Sequence, residues 1–165
     1  MKVYRLVFDP QTNSPIVILQ AQDSGVLLPI WIGVFEAHSI AMKMEGIQPA
    51  RPLTHDLLTN TFSTINGLVN RIEVVDLVDN TYFARIYFDL ADKSYSVDSR
   101  PSDAIAIALR TTSPIYVADH VLEKSKIDPA EMEALETDQE EGGGGDEWTR
   151  ILKNYNPGGG SEKLN

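Results

Sequence analysis

The chain has 165 residues and a mass of 18.3 kDa, which is enough for one domain of ordinary size and a tail but too little for two full domains. Hydrophobic residues make up 42% of the chain and charged residues 23%, and this composition excludes a wholly disordered protein. The 14 basic and 24 acidic side chains give a formal net charge of −10, opposite to the basic footprint of most nucleic-acid-binding proteins. The lack of cysteine excludes disulfides, thiolate zinc sites and cysteine nucleophiles.

The first 32 residues predict three strands in a meander. Residues 3–8, 15–21 and 26–32 are aliphatic or β-branched runs separated by turn-forming residues. The N-terminus lacks the continuous apolar region of a secretory signal, and the longest uncharged apolar run, residues 26–35, is shorter than the ~20 residues that span a bilayer. We therefore expect a soluble, cytoplasmic protein that has no membrane partner.

A helix of about 14 residues follows, because apolar residues recur at steps of three and four. They are Val34, Ala37, Ile40, Ala41, Met44 and Ile47. Glu36 and His38 lie near its start, two residues apart, so they point in different directions and cannot hold one metal ion without help. His38 is either a functional histidine or a solvated one on a helix surface.

A second helix is predicted to begin within Arg51-Pro52-Leu53-Thr54-His55-Asp56. Thr54 can cap it, and Asp56 lies in its first turn, where the helix dipole favours an anion. Its expected buried face consists of Leu57, Leu58, Phe62 and Ile65. These structural roles leave Arg51 and His55 unexplained. A histidine at a helix N-terminus is biased toward its neutral form, which can act as a base or a metal ligand.

The pattern of three strands and a helix then returns. Residues 71–78 and 81–90 predict a hairpin, residues 95–98 a shorter strand, and Pro101 suits the first turn of the next helix. Residues 36–41 (EAHSIA) align with residues 103–108 (DAIAIA), which indicates either an internal duplication or a chance similarity of two amphipathic helices. We expect an α+β fold with antiparallel or mixed β-sheets and packed helices.

The stretch Asp98-Ser99-Arg100-Pro101-Ser102-Asp103 has two interpretations. Backbone N–H groups at the helix start, together with the Arg100 guanidinium, would suit a phosphate oxygen. Alternatively, Ser99 or Ser102 caps the helix and Arg100 pairs with Asp98 or Asp103; spacing alone favours this interpretation. No catalytic triad, Walker loop or zinc-spaced cluster is recognisable in the chain.

The C-terminal segment differs in composition from the rest. Residues 129–165 contain 3 basic and 9 acidic side chains and a run of four glycines at 142–145. We predict a folded unit of residues 1–126 and a largely flexible, acidic, Gly-rich tail of residues 127–165, with a short helix from Asp128 to about Glu136.

Three motifs resemble those of the bifunctional nuclease domain family and occur in that family's order. They are residues 28–33 (LPIWIG) with 36–38 (EAH), residues 51–57 (RPLTHDL) and residues 98–105 (DSRPSDAI). The resemblance covers about residues 1–125. It implies an α+β fold, self-association, and hydrolysis of phosphodiester bonds in DNA and RNA without strong sequence preference. The acidic tail departs from the helical C-terminal module that some members carry.

Phosphodiester hydrolysis needs a base or metal to generate the nucleophile and a cation to neutralise the charge that develops on phosphorus. The candidate catalytic residues are His38, His55, Glu36, Asp56 and Asp103. The candidate substrate-binding residues are Arg51, Arg100, Ser99 and Ser102. The metal ligands stay unassigned, and a divalent cation such as magnesium is compatible with this set.

A second hypothesis is a non-catalytic oligomeric binding or regulatory module, because residues 1–128 hold only 11 basic side chains and no clear basic groove. We predict that His38, His55, Arg51, Arg100 and Asp103 converge on one site, which helix capping alone does not require. We also expect a homodimer or higher oligomer, because the aromatic residues exceed what one small sheet face buries. Those residues are Trp31, Phe35, Tyr82, Phe83, Tyr87 and Phe88.

Overall fold

The computed structural model of the protein describes residues 1–9 and 12–127. Within these residues the chain forms seven strands and four helices, in the order β1 (Lys2–Phe8), β2 (Pro15–Gln20), β3 (Leu27–Trp31), α1 (Val34–Met44), α2 (Thr54–Thr64), β4 (Leu68–Val78), β5 (Thr81–Leu90), β6 (Lys93–Ser99), α3 (Pro101–Thr111), β7 (Ile115–Val117) and α4 (Asp119–Ser125). The acidic tail from residue 128 onward and its predicted helix lie outside the described residues. The division of the chain at residue 126 therefore stays a prediction.

The described residues form two sheets. β1, β2 and β3 pair antiparallel in sequence order, which confirms the predicted meander. The second sheet has the order β6-β5-β4-β7, with β7 parallel to β4 and the other pairs antiparallel. Asp79 and Asn80 join β4 to β5 at φ values of 48° and 58°, the left-handed pair that a two-residue hairpin turn requires. The predicted α+β fold is thus confirmed, with one antiparallel sheet and one mixed sheet.

The order of three strands and a helix occurs twice, as β1-β2-β3-α1 and as β4-β5-β6-α3. α1 packs against α3, and one continuous core joins the two sheets. α3 runs through this core with every residue from Ala104 to Ala108 buried. Its alanines allow close approach of neighbouring elements, and its isoleucines fill the space between them. The first turn of α3 is therefore held in place by packing.

α1 is shorter than predicted, and the cause is a glycine. It has 11 residues and ends before Gly46, which has a φ of +67° in the left-handed region that glycine adopts at low cost.

The predicted burial of α2 is wrong. Leu57, Leu58 and Ile65 are 62%, 41% and 47% exposed, and no residue of the helix is buried. α2 packs beside α3 and against β4, and only Phe62 of the expected face is half-buried. An amphipathic pattern shows which side of a helix is apolar, but it does not show whether another element covers that side.

The predicted caps also differ from those observed. The N-cap of α2 is Leu53 rather than Thr54, and the Leu53 N–H donates to Asp56 Oδ2 at 2.9 Å. The N-cap of α3 is Arg100, with no side-chain cap from Ser99 or Ser102. Serine capping of α3 is therefore wrong, because Pro101 occupies its first position and a following acidic residue engages Arg100 instead.

The described surface carries exposed aromatic side chains. Trp31, Phe35 and Phe83 are 53%, 88% and 41% exposed, and the other three residues of the predicted aromatic set are half-buried. Self-association stays a prediction. In this part of the chain, every helix is too short or too polar to cross a membrane.

Candidate functional site

The first turns of α1, α2 and α3 meet around one open cavity of about 560 Å³. The third residue of each helix is acidic, namely Glu36, Asp56 and Asp103. Because helix N-termini carry partial positive charge, three such ends border the same space. The cavity brings together five of the predicted site residues: Glu36, His38, His55, Arg100 and Asp103.

Arg100 ties two helices together at this cavity. Its Nη2 lies 2.7 Å from Glu36 Oε1 on α1, and its Nε lies 2.7 Å from Asp103 Oδ2 on α3. The hydrogen bond and charge of Asp103 raise the pKa of the Arg100 guanidinium, so Arg100 remains a cation. The side chain is nevertheless 65% exposed, and Nη1 forms no hydrogen bond with the described residues. One edge of the guanidinium is therefore available to a ligand.

The Glu36 end of this arrangement depends on a glycine. A Cβ atom at Gly33 would collide with the Glu36 carboxylate, which folds back over the start of α1. The glycine of the LPIWIG motif thus lets the carboxylate lie close to the backbone while it binds Arg100.

His55 is held at both ring nitrogens. Nε2 lies 3.0 Å from Asp103 Oδ1, and Nδ1 lies 2.9 Å from Ser39 Oγ. Arg110 Nη2 donates to the same Ser39 Oγ at 3.0 Å. Since arginine only donates, the Ser39 hydroxyl accepts from Arg110, and the same hydroxyl shares a second hydrogen bond with His55 Nδ1. Because the Asp103 carboxylate only accepts hydrogen bonds, His55 Nε2 is the donor in its contact with Asp103.

Ser39, His55 and Asp103 form a line that resembles a catalytic triad in composition but not in accessibility. Ser39 is only 5% exposed, and its oxygen already binds Arg110. A nucleophile must reach the substrate, so this serine positions His55 rather than attacking.

Asp56 lies behind the cavity rather than in its wall. Its Oδ1 accepts a hydrogen bond from Arg110 Nε at 2.5 Å, and its Oδ2 accepts one from Leu53 N–H. Burial raises the pKa of the Asp56 carboxyl, but the bonds from Arg110 and Leu53 and the nearby positive charges outweigh it, so the net pKa is lowered. Both oxygens are engaged in holding α2, and this geometry suits a structural anion better than a base.

The geometry of Asp103 likewise favours its charged form. Burial raises the pKa of this carboxyl. The hydrogen bonds from Arg100 and His55 and the charges of these side chains lower it by more, so the net pKa is lowered. Asp103 therefore remains a carboxylate that orients both an arginine and a histidine.

The site lies inside a recognisable domain. The profile of the bifunctional nuclease domain matches residues 17–130, which include every residue of the cavity. The chain belongs to this family. The resemblance of the three motifs is thus confirmed.

Several proteins are similar to this chain. An uncharacterized protein of Mycobacterium tuberculosis is 40% identical over 121 residues, which cover 73% of this chain and 71% of that protein. Bifunctional nuclease 2 of Arabidopsis thaliana is 34% identical over 108 residues, covering 64% of this chain and 33% of that protein. Bifunctional nuclease 1 of the same plant is 30% identical over 141 residues, covering 76% of this chain and 43% of that protein. The chain thus spans less than half the length of these plant relatives.

Besides His55, a second histidine, His38, lines the cavity of this bifunctional nuclease domain. It lies one turn from the start of α1, in the same wall as Glu36. Burial lowers the pKa of His38, which favours the neutral ring, the form that can accept a proton.

The remaining predicted residues lie outside this cavity. Arg51 is exposed next to Pro52, which does line it, and the Arg51 side chain forms no hydrogen bond or ion pair with the described residues. Ser99 Oγ donates to the Arg100 carbonyl at 2.9 Å. Ser102 is buried and lines a separate cavity of about 400 Å³, which Arg100 also borders.

A divalent cation such as magnesium stays an expectation for the described residues, because Mg²⁺ can bind through one or two carboxylates together with substrate phosphates. No three of the described histidine, aspartate and glutamate side chains are placed to share a metal ion. Arg100 lies between Glu36 and Asp103, so a guanidinium occupies the position where a cation would bind both carboxylates.

Sequence reasoning missed Ser39 and Arg110. Each residue has an ordinary explanation within its own helix. Ser39 is a small residue beside the apolar stripe of α1, and Arg110 lies in the last turn of α3, where a basic residue suits the helix dipole. No local signal in the sequence pairs them, because Ser39 and Arg110 are 71 residues apart and meet only through the packing of α1 on α3.

Proposed function

We propose that this bifunctional nuclease domain hydrolyses phosphodiester bonds of DNA and RNA, without strong sequence preference, at the cavity formed by α1, α2 and α3. The observation that carries the proposal is the meeting of His38, His55 and Arg100 at one open cavity bordered by three helix N-termini. The names of the plant relatives support the same reaction class.

Arg100 is the residue that binds the phosphate. Its Nη1 edge is available, and the three helix ends add partial positive charge around the cavity. Glu36 and Asp103 bring two negative charges to the same place. We therefore expect weak binding through few phosphate contacts, with a correspondingly small dependence of affinity on salt.

His38 is the residue that accepts the proton. Water attacks phosphorus, its proton passes to the neutral His38 ring, the bond from phosphorus to the leaving oxygen breaks, and solvent protonates that oxygen. Arg100 neutralises charge as it develops on the phosphoryl oxygens. His55 acts as a positioning residue, since it holds Asp103 and through Asp103 the guanidinium.

The test is cleavage of labelled single-stranded DNA and RNA by the purified full chain, with and without a chelator. Arg100→Ala and His38→Gln should each lower the rate about tenfold or more. Arg85→Ala and His120→Gln are matched controls, because these side chains contact Ser96 and Asp76 outside the cavity, and they should change the rate less than about twofold.

In the wild type the rate should fall as the pH drops through the lowered pKa of His38. A rate that falls when the chelator is added would show that a divalent cation takes part in the reaction.

The alternative function, a non-catalytic oligomeric binding or regulatory module, is favoured by the ion pairs of Arg100 and by the engagement of both His55 nitrogens. Such a network can serve purely to fasten three helices. Cleavage that survives in both Arg100→Ala and His38→Gln would come from a contaminant or another site, and it would favour this alternative.

A further inference from the structure

A second cavity lies on the other side of Arg100. Its volume is about 690 Å³, within the range of small-molecule pockets, and it opens between α2 and the strands β5 and β6. It shares Thr54, His55, Arg100 and Asp103 with the first cavity. These side chains therefore form a common wall, with Arg100 reachable from both sides.

The rest of the second cavity is mainly apolar and partly aromatic, and Tyr95 lies beside its wall rather than in it. Phe88 on β5 stacks on Tyr95 of β6, with ring centroids 5.5 Å apart and planes at 21°. Phe62 of α2 meets the same Phe88 ring edge-on at 4.8 Å. Leu58 and Val97 extend this surface and are 41% and 46% exposed.

This aromatic surface is open because α2 covers the sheet incompletely. No residue of α2 is buried, and Tyr95 is 45% exposed. A helix that served only to close the core would bury its large apolar side chains, as α3 does.

We propose that this cavity holds one base of a single-stranded nucleic acid whose adjoining phosphate lies on Arg100. A nucleotide combines a flat apolar base with an anion about one sugar away, and the cavity combines an aromatic wall with a cation at its rim. The inference rests on the proposed function and adds the substrate form. A base in a duplex reaches such a pocket only after unstacking, so the domain prefers unpaired strands.

A second copy of this chain is the competing occupant of the apolar surface. A second copy would cover the exposed Leu58 and Val97 side chains, but it would leave the open edge of the Arg100 guanidinium at the rim without a ligand. Asp98 and Asp103 also line the cavity, so it is the open edge of Arg100 that favours a nucleotide, because this edge suits a phosphate better than a protein surface.

The test compares two fluorescent 12-nucleotide probes with equal phosphate charge, one of deoxythymidine and one made only of abasic sites, by fluorescence anisotropy at fixed salt. We expect the full chain to bind the base-bearing probe at least about fivefold more tightly, because stacking on aromatic rings is worth that much per base. Phe88→Leu should bring the ratio of the two affinities close to one. The matched control is Tyr87→Leu, whose ring lies under Arg71 on β4 rather than in the cavity, and it should keep the wild-type ratio.

The outcomes separate this inference from the proposed function. Equal affinity for both probes, with cleavage that still depends on Arg100, would overturn the base site and leave the nuclease standing. Failure to bind or cleave either probe would overturn both. If Phe88→Leu changes the oligomeric state in light scattering while the affinity ratio stays at its wild-type value, the cavity is covered by a second copy and the inference is wrong.

Discussion

α2 and α3 are both 11 residues long and both begin at the candidate site, yet they are held in opposite ways. α3 has seven buried residues and is fixed by apolar packing, whereas α2 has none. α2 is fastened by polar contacts: Asp56 to Arg110, and His55 to both Ser39 and Asp103. One half of the site is therefore part of the core, and the other half depends on a small number of hydrogen bonds.

This contrast separates two kinds of sensitivity. Damage to α3 should destabilise the whole domain, since its buried residues belong to the core cluster that joins the two sheets. Damage to the polar contacts of α2 should release that helix from the site while most of the core persists, because local opening follows the elements with few buried apolar contacts.

The largest effect is expected from truncation in α3. Ile105→Ala removes a fully buried side chain and should lower the free energy of unfolding by about 2–5 kcal/mol. Leu57→Ala on α2, where the side chain is 62% exposed, is the matched control and should change the free energy by less than about 0.5 kcal/mol. Urea denaturation measures both. Equal losses would show that α2 is packed as firmly as α3.

The next effect is expected from the polar attachment of α2. Arg110→Met leaves the Asp56 carboxylate and the Ser39 hydroxyl without their buried partner, which should cost about 2–3 kcal/mol of unfolding free energy. Hydrogen exchange should accelerate in α2 much more than in α3. Arg71→Met is the control, because that guanidinium is exposed and lies over Tyr87 outside this network. Equal acceleration of hydrogen exchange in α2 and α3 would contradict the contrast between the two helices.

The smallest effect is expected from acid. The pKa of Asp56 is lower in the folded protein than in the unfolded chain, so its stabilisation is present above about pH 4 and is lost as the pH falls through the folded-state value. The difference in unfolding free energy between wild type and Asp56→Asn should thus be largest near neutral pH and shrink in acid. Partial exposure of the carboxyl keeps it smaller than the loss in Arg110→Met.

Urea midpoints measured across pH check this expectation. Asp98→Asn is the control, because this exposed carboxylate forms no hydrogen bond or ion pair with the described residues. A constant difference for Asp56→Asn down to low pH would show that its carboxylate does not hold α2.

Most strands could be predicted from the sequence because their signal is local. The runs at residues 15–21 and 81–90 combine β-branched residues with flanking turn formers, and the structure places β2 and β5 there with little change. β7 and α4 are absent from the prediction, since three and seven residues are too short to establish a period. β7 gains its place from pairing with β4, which lies about 40 residues earlier.

The sequence by itself determined the α+β class, the family and the helix starts that carry Glu36, His55 and Asp103, because strand periods, glycine and proline positions and short motifs are properties of neighbouring residues. Only the tertiary structure decided that Arg100 joins Glu36 to Asp103, that Arg110 and Ser39 hold α2 and His55, and that α2 leaves its apolar side uncovered. These contacts link residues that are far apart in the chain, and their partners are selected by how α1 packs on α3, which no local pattern specifies.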